Sequence, residues 1–245
     1  MLSIKKLMPA LLMFILAGTE NIKADQGEDK PWAVETSVSV YSDYMFRGFN
    51  YYRGTSIQPS ITGTYDSPIG EFAANLWMHF SAEGSSEKKG QAFTEFDQTL
   101  SYTYSTEFIA ATTGLAWFTY PDSSDDIPST GEVFAALAFN TFLNPVISFY
   151  HDYDEFDYQY YELGFSHTFE EIWESASLTP YIGIGFASNA QKLYADDGLV
   201  QTTTGLALTL PAGSLSIEPN INYTFESDDN AVNRFWFGVN LTFAF

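Results

Sequence analysis

The sequence predicts an all-β fold: a transmembrane, antiparallel up-and-down β-barrel of about twelve strands that follows a cleaved signal peptide. Three observations predict it. The chain ends on Arg234–Phe245, where Phe235, Phe237, Val239, Leu241, Phe243 and Phe245 take every second place and make one strand face wholly apolar. Similar alternating stretches recur along the chain, joined by connections that alternate between short and long. The N-terminus has the order of an export signal.

That signal comes first in the chain. Lys5 and Lys6 precede an apolar run, Leu7 to Gly18, broken only by Pro9, and a polar stretch then leads to Ala24. The run is shorter than the ~18–20 residues of a spanning helix. Cleavage near Ala24, with Gly18 as the competing site, gives a signal peptide at 1–24, a flexible leader at 25–32 and a barrel at 33–245. The chain has no cysteine, which excludes a lipid-anchored lipoprotein and any disulfide. Ten basic against 31 acidic residues give a formal charge of −21, and losing Lys5, Lys6, Lys23 and Glu20 with the signal peptide makes the balance more negative. Such a chain repels nucleic acid. Aromatic residues at 18% argue against disorder, and suit a barrel with aromatic girdles at both interfaces.

From Ala33 the period-two pattern places strands near 33–42, 55–65, 70–82, 92–105, 107–119, 131–141, 145–152, 157–169, 176–187, 199–210, 213–225 and 234–245. Glu170 to Ser175 reads as a single helical turn. The even-numbered joins are mostly short, as at Asp66–Gly70, Asn144-Pro145 and Pro211–Gly213. The odd-numbered joins are longer or more charged: Asp43–Gly54, Gly84–Gln91, Tyr120–Thr130, Asp152–Asp157, Ser188–Gly198 and Glu226–Asn233. Barrels of the outer membrane have short periplasmic turns, long external loops and even strand numbers. A soluble sandwich has no reason to alternate in this way.

The two faces sort accordingly. On 213–225, Leu215, Ile217, Ile221, Tyr223 and Phe225 oppose Ser216, Glu218, Asn220, Asn222 and Thr224. On 199–210, Val200, Leu206, Leu208 and Leu210 oppose Gln201, Thr203, Gly205, Ala207 and Thr209. The polar faces carry Ser, Thr, Gly and Asn with few lysines, an unsuitable exterior for a soluble protein and a suitable lining for a lumen. Small residues facing inward on the fifth, ninth and tenth predicted strands leave space along one wall.

Ser42-Asp43-Tyr44-Met45-Phe46-Arg47-Gly48 resembles the Ser-Asp-Tyr-x-x-Arg-Gly element of the TorF-type porin family, the Gcw_chp family of bacterial outer-membrane proteins. Gln58 matches the glutamine that opens the next strand in that family. The resemblance covers about Val34 to Trp77, together with the signal peptide and the aromatic C-terminus. It implies an outer-membrane barrel with a pore, in the company of outer-membrane lipid and lipopolysaccharide. Phe245 resembles the terminal aromatic residue read by the barrel-assembly machinery.

The inward acids are Glu35, Glu71, Glu95, Asp97, Glu132, Glu162 and Glu218, with Arg234 as the inward base; Tyr41, Trp77, Trp236 and Arg234 narrow the passage. Rings of carboxylates favour cations, so the reading is a channel for small polar or cationic solutes. The alternative is a non-conducting structural or adhesion barrel that acts through acidic external loops, and a lipid-active enzyme ranks third. Arg47 has two readings: it folds over the mouth to pair with Glu95 or Asp97, or it pairs with Asp43 to shape its own turn. His79 and Ser81 share a face with Asn75 and Trp77. That face points inward, whereas a lipase presents its nucleophile to lipid, and no Gly-x-Ser-x-Gly occurs. Asp152 to Asp157 offers oxygen ligands but lacks the glycine and the twelfth-place glutamate of a calcium loop, so it reads as a solvated acidic loop. No cofactor or metal is expected.

Overall fold

The structure is a computed structural model that describes residues 30–82, 92–121 and 128–245. The signal peptide, its cleavage site, the loop at 84–91, and Asp122, Asp125 and Asp126 lie outside the described residues. Strands follow one another as β1 (Trp32–Phe46), β2 (Phe49–Ser67), β3 (Gly70–Ser81), β4 (Phe93–Ser105), β5 (Ile109–Thr119), β6 (Thr130–Phe139), β7 (Val146–Asp152), β8 (Gln159–Ser166), β9 (Phe169–Trp173), β10 (Ala176–Ser188), β11 (Gly198–Ala212), β12 (Leu215–Glu226) and β13 (Arg234–Ala244).

Every pairing is antiparallel. β13 pairs back onto β1 from Glu35↔Ala244 to Tyr41↔Gly238, which closes the ring. β8 pairs with Tyr181–Ser188 of β10, and β9 pairs with the same strand at Ala176 and Leu178. The two therefore share one place in the wall, and the barrel has twelve strands. Glu170–Ser175, expected as a helical turn, is the end of β9 and a tight reversal through Glu174 at φ 52°. Phe169 and Trp173 pair with Leu178 and Ala176, with an irregularity between them, and a helix of this length is too short to be stable.

The first external connection also differs from expectation. The stretch 43–54 is not a loop, because β1 and β2 run through it and pair as far as Phe46↔Phe49. Only Arg47 and Gly48 remain between them, with φ of 49° and 88°. Two positive φ values make the type I′ geometry that matches the twist of a hairpin, and glycine in the second place is its usual signature.

Faces are sorted as in a membrane barrel and opposite to a soluble one. Leu76, Leu100, Leu115, Leu137, Ile147, Ile221, Phe235 and Phe237 are exposed on the outside, while Thr99, Thr103, Thr112, Gln201, Thr203, Glu218, Asn220, Asn222 and Thr224 are buried inside. Val200 is an exception to the expected parity. It is completely buried, because the register slips between Gly185 and Phe186 and turns Val200 into the mouth. Trp32, Tyr65, Tyr104, Phe108, Phe142, Trp173 and Phe245 are exposed around the end that carries both termini, where they form a girdle.

Part of the space expected beside small inward residues is filled. A Cβ at Gly238 would overlap the ring of Tyr41, and one at Gly205 would overlap Tyr181. Each glycine lies directly opposite its tyrosine on the neighbouring strand. The missing side chain is the seat for an aromatic ring that lies across the lumen wall. Gly238→Ala is therefore expected to cost about 1–3 kcal/mol through overpacking, read as a lower urea midpoint for unfolding from lipid vesicles. Gly63→Ala, where an added Cβ meets nothing within 4 Å, is expected to leave that midpoint within about 0.5 kcal/mol of the parent.

Candidate functional site

The site is built by the two longest strands. β1 has 15 residues and β2 has 19, more than the ~9–11 that cross a hydrocarbon core, so their paired ends project past the wall. Register irregularities at Tyr41/Asp43 and Tyr44/Met45 bend the projection inward. Asp43, Tyr44, Met45, Arg47 and Gly48 are all buried as a result. Gly48 lies against the Gln201 and Ala231 side chains, where a Cβ would sit 3.0 Å and 3.3 Å from theirs. The Val232 amide donates to the Gly48 carbonyl at 3.1 Å, and the Tyr194 hydroxyl donates to the Arg47 carbonyl at 2.8 Å.

With its backbone held on the β11 side, Arg47 extends its side chain across the lumen to β6. Its guanidinium donates to both Glu132 oxygens, at 2.7 Å and 3.0 Å, and to the Tyr158 hydroxyl at 2.5 Å. The Tyr150, Phe46 and Tyr160 rings lie 4.3, 4.7 and 4.7 Å from the guanidinium carbon. Arg47 is 5% exposed and Glu132 is 2% exposed. Withdrawing two charges from water is costly, and the fork-to-fork contact with stacked aromatic faces is what offsets that cost. Burial pushes the Tyr158 phenol up to about 12, with Arg47 pulling the other way, so at neutral pH an uncharged hydroxyl meets the guanidinium.

Neither partner expected for Arg47 is the one observed. The two-residue turn carries Arg47 to the tip of the projection, beyond reach of its own strand's acids and directed at the opposite wall. Asp43 instead pairs with Arg234, at 2.5 Å and 2.8 Å, and accepts from Asn50 at 2.9 Å. Glu95 accepts from the Tyr44 hydroxyl at 2.7 Å. Arg234 thus stands half-exposed at the rim, tying β13 to β1, and does not narrow the lumen. Each residue of the Ser42–Gly48 element has a distinct place here: the Ser42 hydroxyl accepts from the Phe237 amide at 3.1 Å, Tyr44 holds Glu95, Arg47 crosses to Glu132, and Gly48 makes the turn. Gln58 donates to the Ser56 hydroxyl at 2.9 Å on the inner face of β2.

The remaining expected residues line the lumen at several levels. Glu95, Asp97, His79 and Trp77 lie on the β3–β4 wall below the bridge, with His79 opposite Glu95 and Trp77 opposite Asp97. Farther down, the Tyr41 hydroxyl donates to Asn240, Asn240 to Glu218, and Thr209 to Glu218, at 2.8, 2.9 and 3.2 Å. The Trp236 ring meets Tyr41 edge-on, with centroids 5.4 Å apart. Glu162 accepts from Tyr160 at 3.3 Å. Glu35 and Glu71 stand near the terminal end, away from the others. Gln201, Tyr150, Tyr158, Tyr160 and Tyr194 complete the bridge and were not among the expected site residues. The inward parity of Gln201, and of Tyr158 and Tyr160 beside Glu162, was readable, but the loop residue Tyr194 carries no periodic signal.

The acidic loops are occupied with their own backbone. Asp152 is buried and accepts from the Thr130 hydroxyl and from the amides of Asp154, Phe156 and Asp157, at 2.7 to 3.2 Å. Asp228 accepts from the amides of Ala195, Asp196 and Asn230. Its partial burial works to raise the pKa, but the three amides outweigh it and hold this carboxyl below the usual range. No group of three His, Asp or Glu residues is placed to hold a metal ion among the described residues.

No protein-family model matches the chain, and no curated protein does either. Solved structures do. An outer membrane channel from Pseudomonas putida F1 superposes with a TM-score of 0.59 at 12% identity, covering 90% of this chain and 98% of that one. The NanC porin gives 0.52 at 9% identity over 86% of this chain and 98% of its own. LpxR from Salmonella typhimurium gives 0.51 at 9% identity over 85% and 99%. The likeness establishes an outer-membrane type of barrel fold.

Two outcomes follow from the mouth. Arg47→Met or Glu132→Gln strips a buried ion of its partner and is expected to cost about 3–5 kcal/mol in urea unfolding. Arg47→Met combined with Glu132→Gln is expected to cost clearly less than the sum of the two single changes, as a double-mutant cycle will read. The depressed Asp228 carboxyl contributes stability that is present above the ordinary Asp pKa of about 3.9 and lost as pH falls through its lower folded value. Asp228→Asn should flatten the acid limb of loop protection, measured by proteolysis of the 189–197 and 227–233 loops between about pH 5 and pH 2.

Proposed function

We propose that this protein is a channel of the bacterial outer membrane that passes small polar or cationic solutes. We further propose, on Ser42–Gly48 and Gln58, that it belongs with the TorF-type porins. The observation that carries the channel reading is the inner face: inside a barrel with an apolar exterior, Glu95, Asp97, Glu162 and Glu218 line a lumen crossed at its mouth by one turn and one ion pair. Carboxylate-lined passages favour cations. Twelve strands make a bore between the filled interior of eight and the open channel of sixteen. In this orientation the termini and the Trp32–Phe245 girdle face the periplasm and the acidic loops face outward toward lipopolysaccharide. Phe245, at the end of the closing strand, is the residue offered to the assembly machinery.

One observation favours a second reading, a non-conducting structural barrel. Tyr158, Tyr160, Tyr194 and Val200 form a buried cluster with Phe49 and Tyr150 packed against it, and together with Arg47 they fill much of the loop end. Lipid hydrolysis is outside the proposal, because His79 and Ser81 are 1% and 2% exposed on the inner face, away from any lipid.

Reconstitution into planar bilayers separates the readings. The channel predicts discrete conductance steps with a reversal potential that favours cations. Arg47→Ala should raise the single-channel conductance at least two-fold, with heat-modifiable gel migration verifying that the barrel is intact. Absence of steps in both proteins sinks the channel and leaves the structural barrel.

A further inference from the structure

Below the Arg47 bridge, the β3–β4 wall carries two carboxylates that have no basic partner among the described residues. Arg47 is committed to Glu132 and Arg234 to Asp43, so Glu95 and Asp97 have no basic partner among the described residues. They are 7% and 6% exposed. Two carboxylates on successive inward positions of one strand repel each other, and removal from bulk water strengthens that repulsion. Either a proton or a bound cation relieves it.

The surroundings narrow the kind of cation. Asp97 Oδ1, Thr99 Oγ1, Ser81 Oγ and His79 Nε2 are buried without any hydrogen-bonding partner among the described residues. Thr99 follows Asp97 on the same inward face of β4, and His79 stands opposite Glu95. Buried polar atoms are ordinarily satisfied, and here several acceptors lie along one patch. Aromatic surface frames it. The Tyr44 ring lies 5.7 Å from Trp77, 4.6 Å from His79 and 5.5 Å from Tyr51. Tyr51 is 48% exposed although its ring meets that of the buried Tyr44. A divalent metal is poorly served, since no three His, Asp or Glu residues converge among the described residues.

We propose that Glu95 and Asp97, with Thr99 and the faces of Trp77, Tyr44 and Tyr51, bind the ammonium group of a small primary amine. An ammonium has three N–H donors and no acceptor, and it joins Asp97 to one inward neighbour at a time, Glu95 or Thr99, since those two stand ~13 Å apart along the strand. The aromatic faces hold the charge by cation–π attraction and cover the adjoining methylenes. The site deepens the channel reading by naming the class of solute, and it rests on that reading for the route by which the amine arrives.

Isothermal titration calorimetry of the refolded barrel in detergent, with n-butylammonium chloride as the probe and potassium chloride as the matched salt, tests the site. Saturable binding of butylammonium is expected, weakened at least ten-fold by Asp97→Asn and several-fold by Thr99→Val, and unchanged by Glu107→Gln in the distant β4–β5 turn. Each variant is first checked for heat-modifiable migration, and Thr99→Val serves if Asp97→Asn does not fold. Absence of saturable heat overturns the amine site. Equal competition by potassium overturns it too, since the patch is then a general monovalent-cation site. Conductance without amine binding overturns this proposal and leaves the channel standing, whereas amine binding without conductance leaves the site standing and sinks the channel.

Discussion

Everything in this molecule depends on the rule that a backbone crossing hydrocarbon leaves no N–H or C=O unpaired. A sheet meets that rule only by closing on itself, so β13 has to find β1, nearly two hundred residues away in sequence, and the Phe245 amide donates to the Val34 carbonyl at 2.9 Å to complete the seam. Closure then dictates the side chains. With lipid outside, the alternation of the strands places leucine, isoleucine and phenylalanine outward and forces Thr, Asn, Gln, Glu and Asp into the interior. A twelve-strand interior is too narrow to leave those groups fully hydrated, and they satisfy one another instead. The chain Tyr41–Asn240–Glu218–Thr209 and the pair Thr203–Thr224 are the result.

The same narrowness explains the tyrosines that fill the lumen. A phenol is long enough to span from one wall strand over its neighbour and polar enough to finish on an amide or carboxylate. Where Tyr41 and Tyr181 do so, the neighbour is Gly238 or Gly205, and the ring takes the volume a side chain would have used. At the mouth, Tyr150, Tyr158 and Tyr160 instead surround Arg47.

Much of this was legible in the sequence. The parity of Ser216–Thr224 and Glu95–Thr103 identified lumen faces because strand alternation survives wherever pairing is regular, and the closing pair Ala33–Ser42 with the C-terminal strand followed from an even count. Regularity fails at the mouth. Asp43–Gly54 mixes aromatic, polar and glycine residues without period, so the extension of β1 and β2 through it left no trace, and neither did the slip that buries Val200. Arg47 was singled out for its rarity as a cation, yet its partner lies 85 residues away and depends on how far the hairpin projects. Small residues were read as space because a sequence does not show which ring will lie over them.

The Arg47–Glu132 pair also has a mechanical meaning. A closed ring of strands is stiff along its hydrogen bonds but easily flattened, since ovalising it only requires small changes of angle between neighbours. Arg47 joins the β1–β2 hairpin to β6, five strands around the ring, and so runs close to a diameter. It is a cross-brace, and any flattening that widens this diameter has to stretch a bidentate contact that resists extension. The Arg47–Glu132 contact therefore helps to keep the mouth round, and a ligand or lateral pressure that releases the brace also softens the wall around it.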